Sequence, residues 1–162
     1  MTESRRTAAN RLARLIATWF GCGYAPAAPG TAGSLAALLI AIALHGIAGM
    51  AAWHFVLLAA VLFAPAVWAS TDTARAVKIK DPGLVVVDEV IGQWIALTGA
   101  HPLNWKSYLG AFALFRLFDI WKPPPVRQLE ALPEGLGIVA DDAMAGVYAA
   151  LVLFLAGSFH WY

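Results

Sequence analysis

The sequence predicts an all-α, integral-membrane helical bundle with about four to five membrane-embedded helices and an N-terminal interfacial helix. Residues 1–162 are read as a single domain. Three observations predict this. The chain is 60% hydrophobic and only 13% charged, against about 25% charged in soluble proteins. Several apolar runs approach the roughly 20 residues that a helix needs to cross a bilayer core. Turn and breaker residues divide these runs.

The elements follow in order. In "MTESRRTAANRLARLIATWF", residues 1–20, Arg11 and Arg14 interrupt any signal-peptide core, so the segment is expected to stay on the protein. Leu12, Leu15, Ile16, Trp19 and Phe20 recur at helical spacing, with Arg5, Arg6, Arg11 and Arg14 available at or beyond the other face. That pattern suits a helix lying in the membrane interface, and equally an amphipathic helix packed on the domain. Two long apolar segments, 34–52 and 54–70, read as a hairpin of spanning helices. A polar connection over 71–88 leads to "EVIGQWIALTGA", residues 89–100, a short helix of about 18 Å that cannot cross alone. "HPLNW" breaks it, 107–122 runs back as the next main span, and "PPP" at 123–125 ends that helix. The last span covers 143–159.

Charge orients the spans. With the N-terminus in the cytoplasm, ten of the 11 basic residues fall near the cytoplasmic face, Lys106 being the exception, and all 10 acidic residues share that side. His45, His54, His101 and His160 fall near the outer ends. Carboxylate chemistry is therefore expected at the cytoplasmic face, without histidine. A net charge of +1 argues against nucleic acid as a partner. Cys22 is the single cysteine, so no intramolecular disulfide, cysteine zinc site or Cys-x-x-Cys pair can form.

Four polar stretches interrupt the apolar surroundings. In "APGTAGS", residues 28–34, Gly30, Thr31, Gly33 and Ser34 open a helix whose free N–H groups and hydroxyls could hold a phosphate; a simple helix cap uses the same residues. "VVVDEVIGQW", residues 85–94, and "GIVADDAMAG", residues 137–146, carry the adjacent pairs Asp88, Glu89 and Asp141, Asp142. Capping needs one carboxylate at each helix start, so two doublets at one membrane depth suggest a shared hard cation, Mg²⁺ before Mn²⁺ or Ca²⁺. "FRLFDIWKPPP", residues 115–125, places Arg116, Asp119 and Lys122 three apart on one drifting helix face. They either form an internal Arg116–Asp119 pair with Lys122 snorkelling to the headgroups, or neutralise a phosphate monoester beside the carboxylates. Arg75, Lys78, Lys80 and Arg127 read as topology determinants and contacts to anionic membrane lipids.

In combination and order, "GYAPAAPGTAGSL", "VVVDEVIGQWIAL", "FRLFDIWKPPPVRQLE" and "GLGIVADDAMAGVYAA" resemble the phosphatidylglycerophosphatase A family over roughly residues 19–157. One departure is Glu134 and Leu136 where a His-Gly-Gly-like approach to the acidic pair is expected. The resemblance implies a multi-pass enzyme of the bacterial inner membrane, its active site facing the cytoplasm, that removes the terminal phosphate of phosphatidylglycerophosphate with Mg²⁺. On that reading Asp88, Glu89, Asp141 and Asp142 hold the metal. One of them, or Asp119, orients or deprotonates the water, and Arg116 and Lys122 neutralise the phosphate. Gly30, Thr31, Gly33 and Ser34 hold its oxygens or the glycerol hydroxyls.

Independently, the residues argue against other phosphatase chemistries. No histidine is expected at the active face, Ala28 stands where a cysteine phosphatase needs Arg six residues after Cys22, and no two aspartates are spaced by two. Metal-assisted attack by water remains, with attack by a carboxylate as the covalent variant. The rival readings are a cation-coupled transporter using the same carboxylates and a non-catalytic scaffold. The acids gather at one face and no inverted repeat is evident, which counts against transport, and a scaffold leaves the doubled acids unexplained.

Overall fold

A computed structural model describes residues 3–162, with side-chain surroundings from residue 8 onward. Arg5 and Arg6, assigned above to a polar helix face, lie outside the residues whose side chains are described. Among the described residues all regular secondary structure is helical. Its elements are α1 (Glu3–Ala17), a 3₁₀ turn (Cys22–Tyr24), α2 (Pro29–Ala48), α3 (Ala52–Val77), α4 (Val87–Leu97), α5 (Trp105–Trp121), the short α6 (Val126–Leu129) and α7 (Glu134–Ser158).

Helix α4, the shortest of the five helices α2, α3, α4, α5 and α7, organises the rest. Every residue of α4 except Ile95 is buried, including the polar Asp88, Glu89 and Gln93. It packs against α2, α3, α5 and α7. Small residues set its close approaches: a Cβ on Gly92 would collide with the Phe115 ring, and one on Gly146 of α7 with the Gly92 carbonyl. Trp94 Nε1 donates to the Ala37 carbonyl at 3.1 Å and ties α4 to α2.

Three helices, α2, α3 and α7, are long and apolar enough to cross a membrane, and the protein is a membrane protein. The remaining embedded segments of the sequence reading correspond to α4, lodged among them, and α5, which is 17 residues long and carries Arg116 and Asp119. Element ends differ from the expected ones in an instructive way. The first span begins at Pro29 rather than 34, because proline at the first helical position fits the helical φ and lacks only an N–H that has no partner there. The second continues to Val77 rather than 70, since "TDTARAV" contains nothing that breaks a helix.

The largest difference lies in α7, which starts at Glu134 rather than 143. Gly135 and Gly137 look like loop residues, but they serve packing: a Cβ on Gly135 would collide with the Val67 carbonyl, and one on Gly137 would stand 2.5 Å from the Leu132 carbonyl. Asp141 and Asp142 therefore lie two turns inside the helix and cannot be its cap. Helix α1 packs on α3 through the fully buried Ala13 and Ala17, leaving Leu12, Leu15 and Phe20 exposed.

Candidate active site

The strand-like run "LVVV" delivers the first acidic doublet. Val86 N–H donates to the Ala17 carbonyl at 2.8 Å, Gly33 of α2 leaves room for the Val86 side chain, and Val85, Val86 and Val87 are buried. The chain then turns into α4, with Asp88 and Glu89 in its first turn. Glu89 leans on α2 so closely that a Cβ on Gly30 would collide with its carboxylate.

Two cations come from α5. Arg116 is ion-paired to Glu89 and reaches Asp119 at 2.9 Å. Ser34 Oγ stands 2.9 Å from Glu89 Oε2 and donates from the other side. Lys122 caps α5 in the left-handed region at φ 49, a conformation that disfavours residues with a Cβ. The Pro123–Pro125 turn follows, with Tyr148 of α7 donating to the Pro124 carbonyl at 2.7 Å. Lys122 Nζ is thereby turned inward, 2.6 Å from Asp141 Oδ2 and 3.2 Å from Glu130 Oε2. It does not snorkel.

These groups surround one cavity of about 270 Å³. Its wall contains six carboxyl groups, Asp81, Asp88, Glu89, Asp119, Asp141 and Asp142, against two cations, Arg116 and Lys122. The distribution of partners is uneven. Asp141 accepts from Lys122 and, through Oδ1, from the Asp142 backbone N–H at 3.0 Å. Asp88 Oδ1 and Asp142 Oδ2 are buried without any partner. An ionised oxygen so placed is strongly disfavoured unless a cation compensates it.

A family model, phosphatidylglycerophosphatase A, matches residues 15–157. The chain belongs to the phosphatidylglycerophosphatase A family. It is similar to the Haemophilus influenzae protein named phosphatidylglycerophosphatase A, at 39% identity over 86% of this chain and 85% of that one. The Escherichia coli protein of that name is 36% identical over 91% of this chain and 84% of its own length. A Bacteroides thetaiotaomicron protein, provisionally named a phosphatidylinositol-3-phosphatase, is 43% identical over 88% of this chain and 91% of that one. No solved structure matches. As a phosphatidylglycerophosphatase A family member the protein is a phosphatase.

The cavity gathers Gly30, Asp88, Glu89, Arg116, Asp119, Lys122, Asp141 and Asp142. Three sequence candidates stand off its wall. Thr31 is half-buried and does not line it, Gly33 packs on Val86, and Ser34 acts on Glu89. Cys22, in the 3₁₀ turn, is also off the wall. Asp81 was not singled out in the sequence. It sits in the α3–α4 loop on the cavity rim, where withdrawal from water raises its carboxyl above the ordinary range; the Lys122 ammonium opposes that shift, and the Glu130 and Asp119 carboxylates add to it. Its position directly before Pro82, at the end of a basic run, was the only signal available.

Among the described residues, no three His, Cys, Asp or Glu side chains stand close enough to hold an ion as they are. The donor chemistry nevertheless fits a hard cation. All the candidate donors are carboxylate oxygens, two of them have no partner, and negative groups outnumber positive ones.

Proposed function

We propose that this protein hydrolyses the terminal phosphate monoester of phosphatidylglycerophosphate to phosphatidylglycerol and inorganic phosphate, with Mg²⁺ as its cofactor. The observation that carries this reading is the single cavity that gathers two partnerless carboxylate oxygens with two half-buried cations. Asp88 and Asp142 would hold Mg²⁺ through those oxygens, with Glu89 and Asp141 completing the ligand set. Bound there, Mg²⁺ would offset the surplus carboxylate charge and acidify the attacking water.

The chain's own groups do the rest. Arg116 and Lys122 neutralise the phosphate, whose transfer depends mainly on positioning and charge stabilisation. The first turn of α2 at Gly30 directs free N–H groups toward the same space. Attack by water forms one P–O bond and breaks the bond to the glycerol oxygen. The water's proton passes to a carboxylate, Asp119, which then gives it to the departing glycerol oxygen. The cavity opens at the cytoplasmic face of a bacterial inner membrane, a placement supported by the segregation of basic residues. Helix α1 lies in that interface with Leu12 and Leu15, and Phe20 of the turn that follows, toward lipid.

Phosphate release from the detergent-purified protein tests this directly. We expect release from phosphatidylglycerophosphate that stops in excess EDTA and returns with Mg²⁺. Undiminished release in EDTA overturns the metal. Faster release from phosphatidylinositol 3-phosphate overturns the headgroup in favour of the activity that the Bacteroides relative is named for. Absence of release from both lipids returns the carboxylates to cation-coupled transport. A reporter fused after Tyr162 should be active only outside the cytoplasm, since three crossings follow a cytoplasmic N-terminus.

A further inference from the structure

A second cavity, about 360 Å³ and lined only by apolar side chains, lies between α3, α4 and α7. Its α3 wall is Val56, Ala59, Ala60 and Phe63, spaced three, four and seven apart and so on one helix face. Ile91 and Ile95 of α4 and Ala143 of α7 form the other side.

The position of this groove relative to the acids follows from close backbone contacts. Gly135 of α7 abuts Val67 and Thr71 of α3, and the two helices run antiparallel. Ala143, eight residues on, is therefore level with α3 near residue 61. Gly146 abuts Gly92, which puts Ile91 at a similar level and Ile95 a turn deeper. Ala143 directly follows Asp142, and Ile91 is one turn beyond Asp88. The groove thus begins at the depth where the carboxylate cavity ends, on the α3 side of α4 and α7, and runs from Phe63 to Val56, about 10 Å along α3. Its volume is that of a small-ligand site.

Resting on the proposed phosphatase reading, we infer that this groove holds an acyl chain of the phospholipid whose phosphate occupies the carboxylate cavity. The two sites together are amphipathic in the sense required. One end offers cations and carboxylates, and the other offers only aliphatic and aromatic carbon. Small residues at 59, 60 and 143 leave the space open. The groove faces the membrane, because Val56 is 43% exposed and Ala60 is exposed, so a chain can enter it sideways from the bilayer. A chain that enters from the bilayer exchanges one apolar surrounding for another, so the groove holds it by packing rather than by withdrawal from water.

The test compares hydrolysis of a long-chain diacyl substrate with its short-chain analogue, whose tails end before the level of Val56. Val56→Trp and Ala60→Leu fill the groove from its exposed side, where folding does not depend on a small residue. Each should lower the long-chain to short-chain ratio of kcat/KM by about fivefold or more, because the lost contacts belong only to the longer tail. An unchanged ratio in both variants, including a uniform loss on both substrates, overturns the groove as an acyl-chain site. Wild-type protein that releases no phosphate from either lipid instead overturns the phosphatase reading on which the inference rests.

Discussion

Each acidic doublet divides its labour in the same way. Glu89 is clasped by Arg116 and Ser34, and Asp141 by Lys122 and the Asp142 backbone. Their neighbours Asp88 and Asp142 each keep a buried oxygen with no partner. The clasped carboxylates position the two cations, and the free ones keep an oxygen available, which is why the proposed reading gives them, with Glu89 and Asp141, to a metal ion. Adjacent residues on a helix point about 100° apart, so a doublet is the shortest sequence that can serve both purposes at one depth.

The largest expected effect comes from the free pair. Asp88→Asn and Asp142→Asn each replace a carboxylate whose buried oxygen has no hydrogen-bond partner, so folding should be unharmed or improved. Turnover should fall by about 10²-fold or more, the scale typical of disrupted electrostatic catalysis. Steady-state phosphate release alongside a thermal melt measures both. Near-normal turnover in both variants would erase the distinction between free and clasped carboxylates.

The clasped pair should show the opposite balance. Arg116→Met strips Glu89 and Asp119 of their shared cation, and breaking a buried pair on one side costs about 3–5 kcal/mol. The Arg116 and Glu89 side chains are 19% and 11% exposed, so solvent screens little of this. Adding Glu89→Gln should recover much of the stability while activity stays low. A double variant no more stable than Arg116→Met would show that the clasp is not what Arg116 contributes to folding.

How far the sequence revealed this arrangement depends on the kind of signal. The apolar runs located α2, α3 and α7, because hydrophobic length is a local property. The four polar stretches were legible as exceptions to apolar surroundings, and the structure brings all four to one cavity. Partner choice was not legible. Nothing in the spacing of Arg116, Asp119 and Lys122 says that Arg116 joins Glu89 or that Lys122 joins Asp141, since both bonds cross between helices. The start of α7 was hidden because Gly135 and Gly137 signal a loop locally, while in the fold Gly135 serves a close crossing with α3 and Gly137 makes room for the turn at residues 130–132. Asp81 went unseen for the same reason: only the fold places its loop beside Lys122.

Lys122 combines a clasp with backbone strain, and two substitutions separate them. Lys122→Gly and Lys122→Met both release Asp141 from its ammonium and should lower turnover alike. Glycine tolerates the left-handed conformation at φ 49, whereas methionine retains the penalty of about 1–2 kcal/mol. The glycine variant should therefore melt higher than the methionine one. Equal melting points would mean that the turn before Pro123 carries no strain at this residue.

The smallest effect is expected where an ion pair has short geometry but no burial. Arg75 binds Glu134 through Nε at 2.8 Å and Nη2 at 2.5 Å, distances comparable to that between Lys122 and Asp141. Its side chain is 68% exposed and that of Glu134 47%, so water and salt screen the attraction and each partner is readily hydrated when the other is lost. Exposed pairs contribute about 0–1 kcal/mol, and this one belongs at the low end. Arg75→Ala should leave both the melting point and phosphate release within error of the parent protein. If it instead destabilised the fold as strongly as Arg116→Met, distance rather than burial would govern these pairs, and the contrast between clasped and free carboxylates would lose its electrostatic basis.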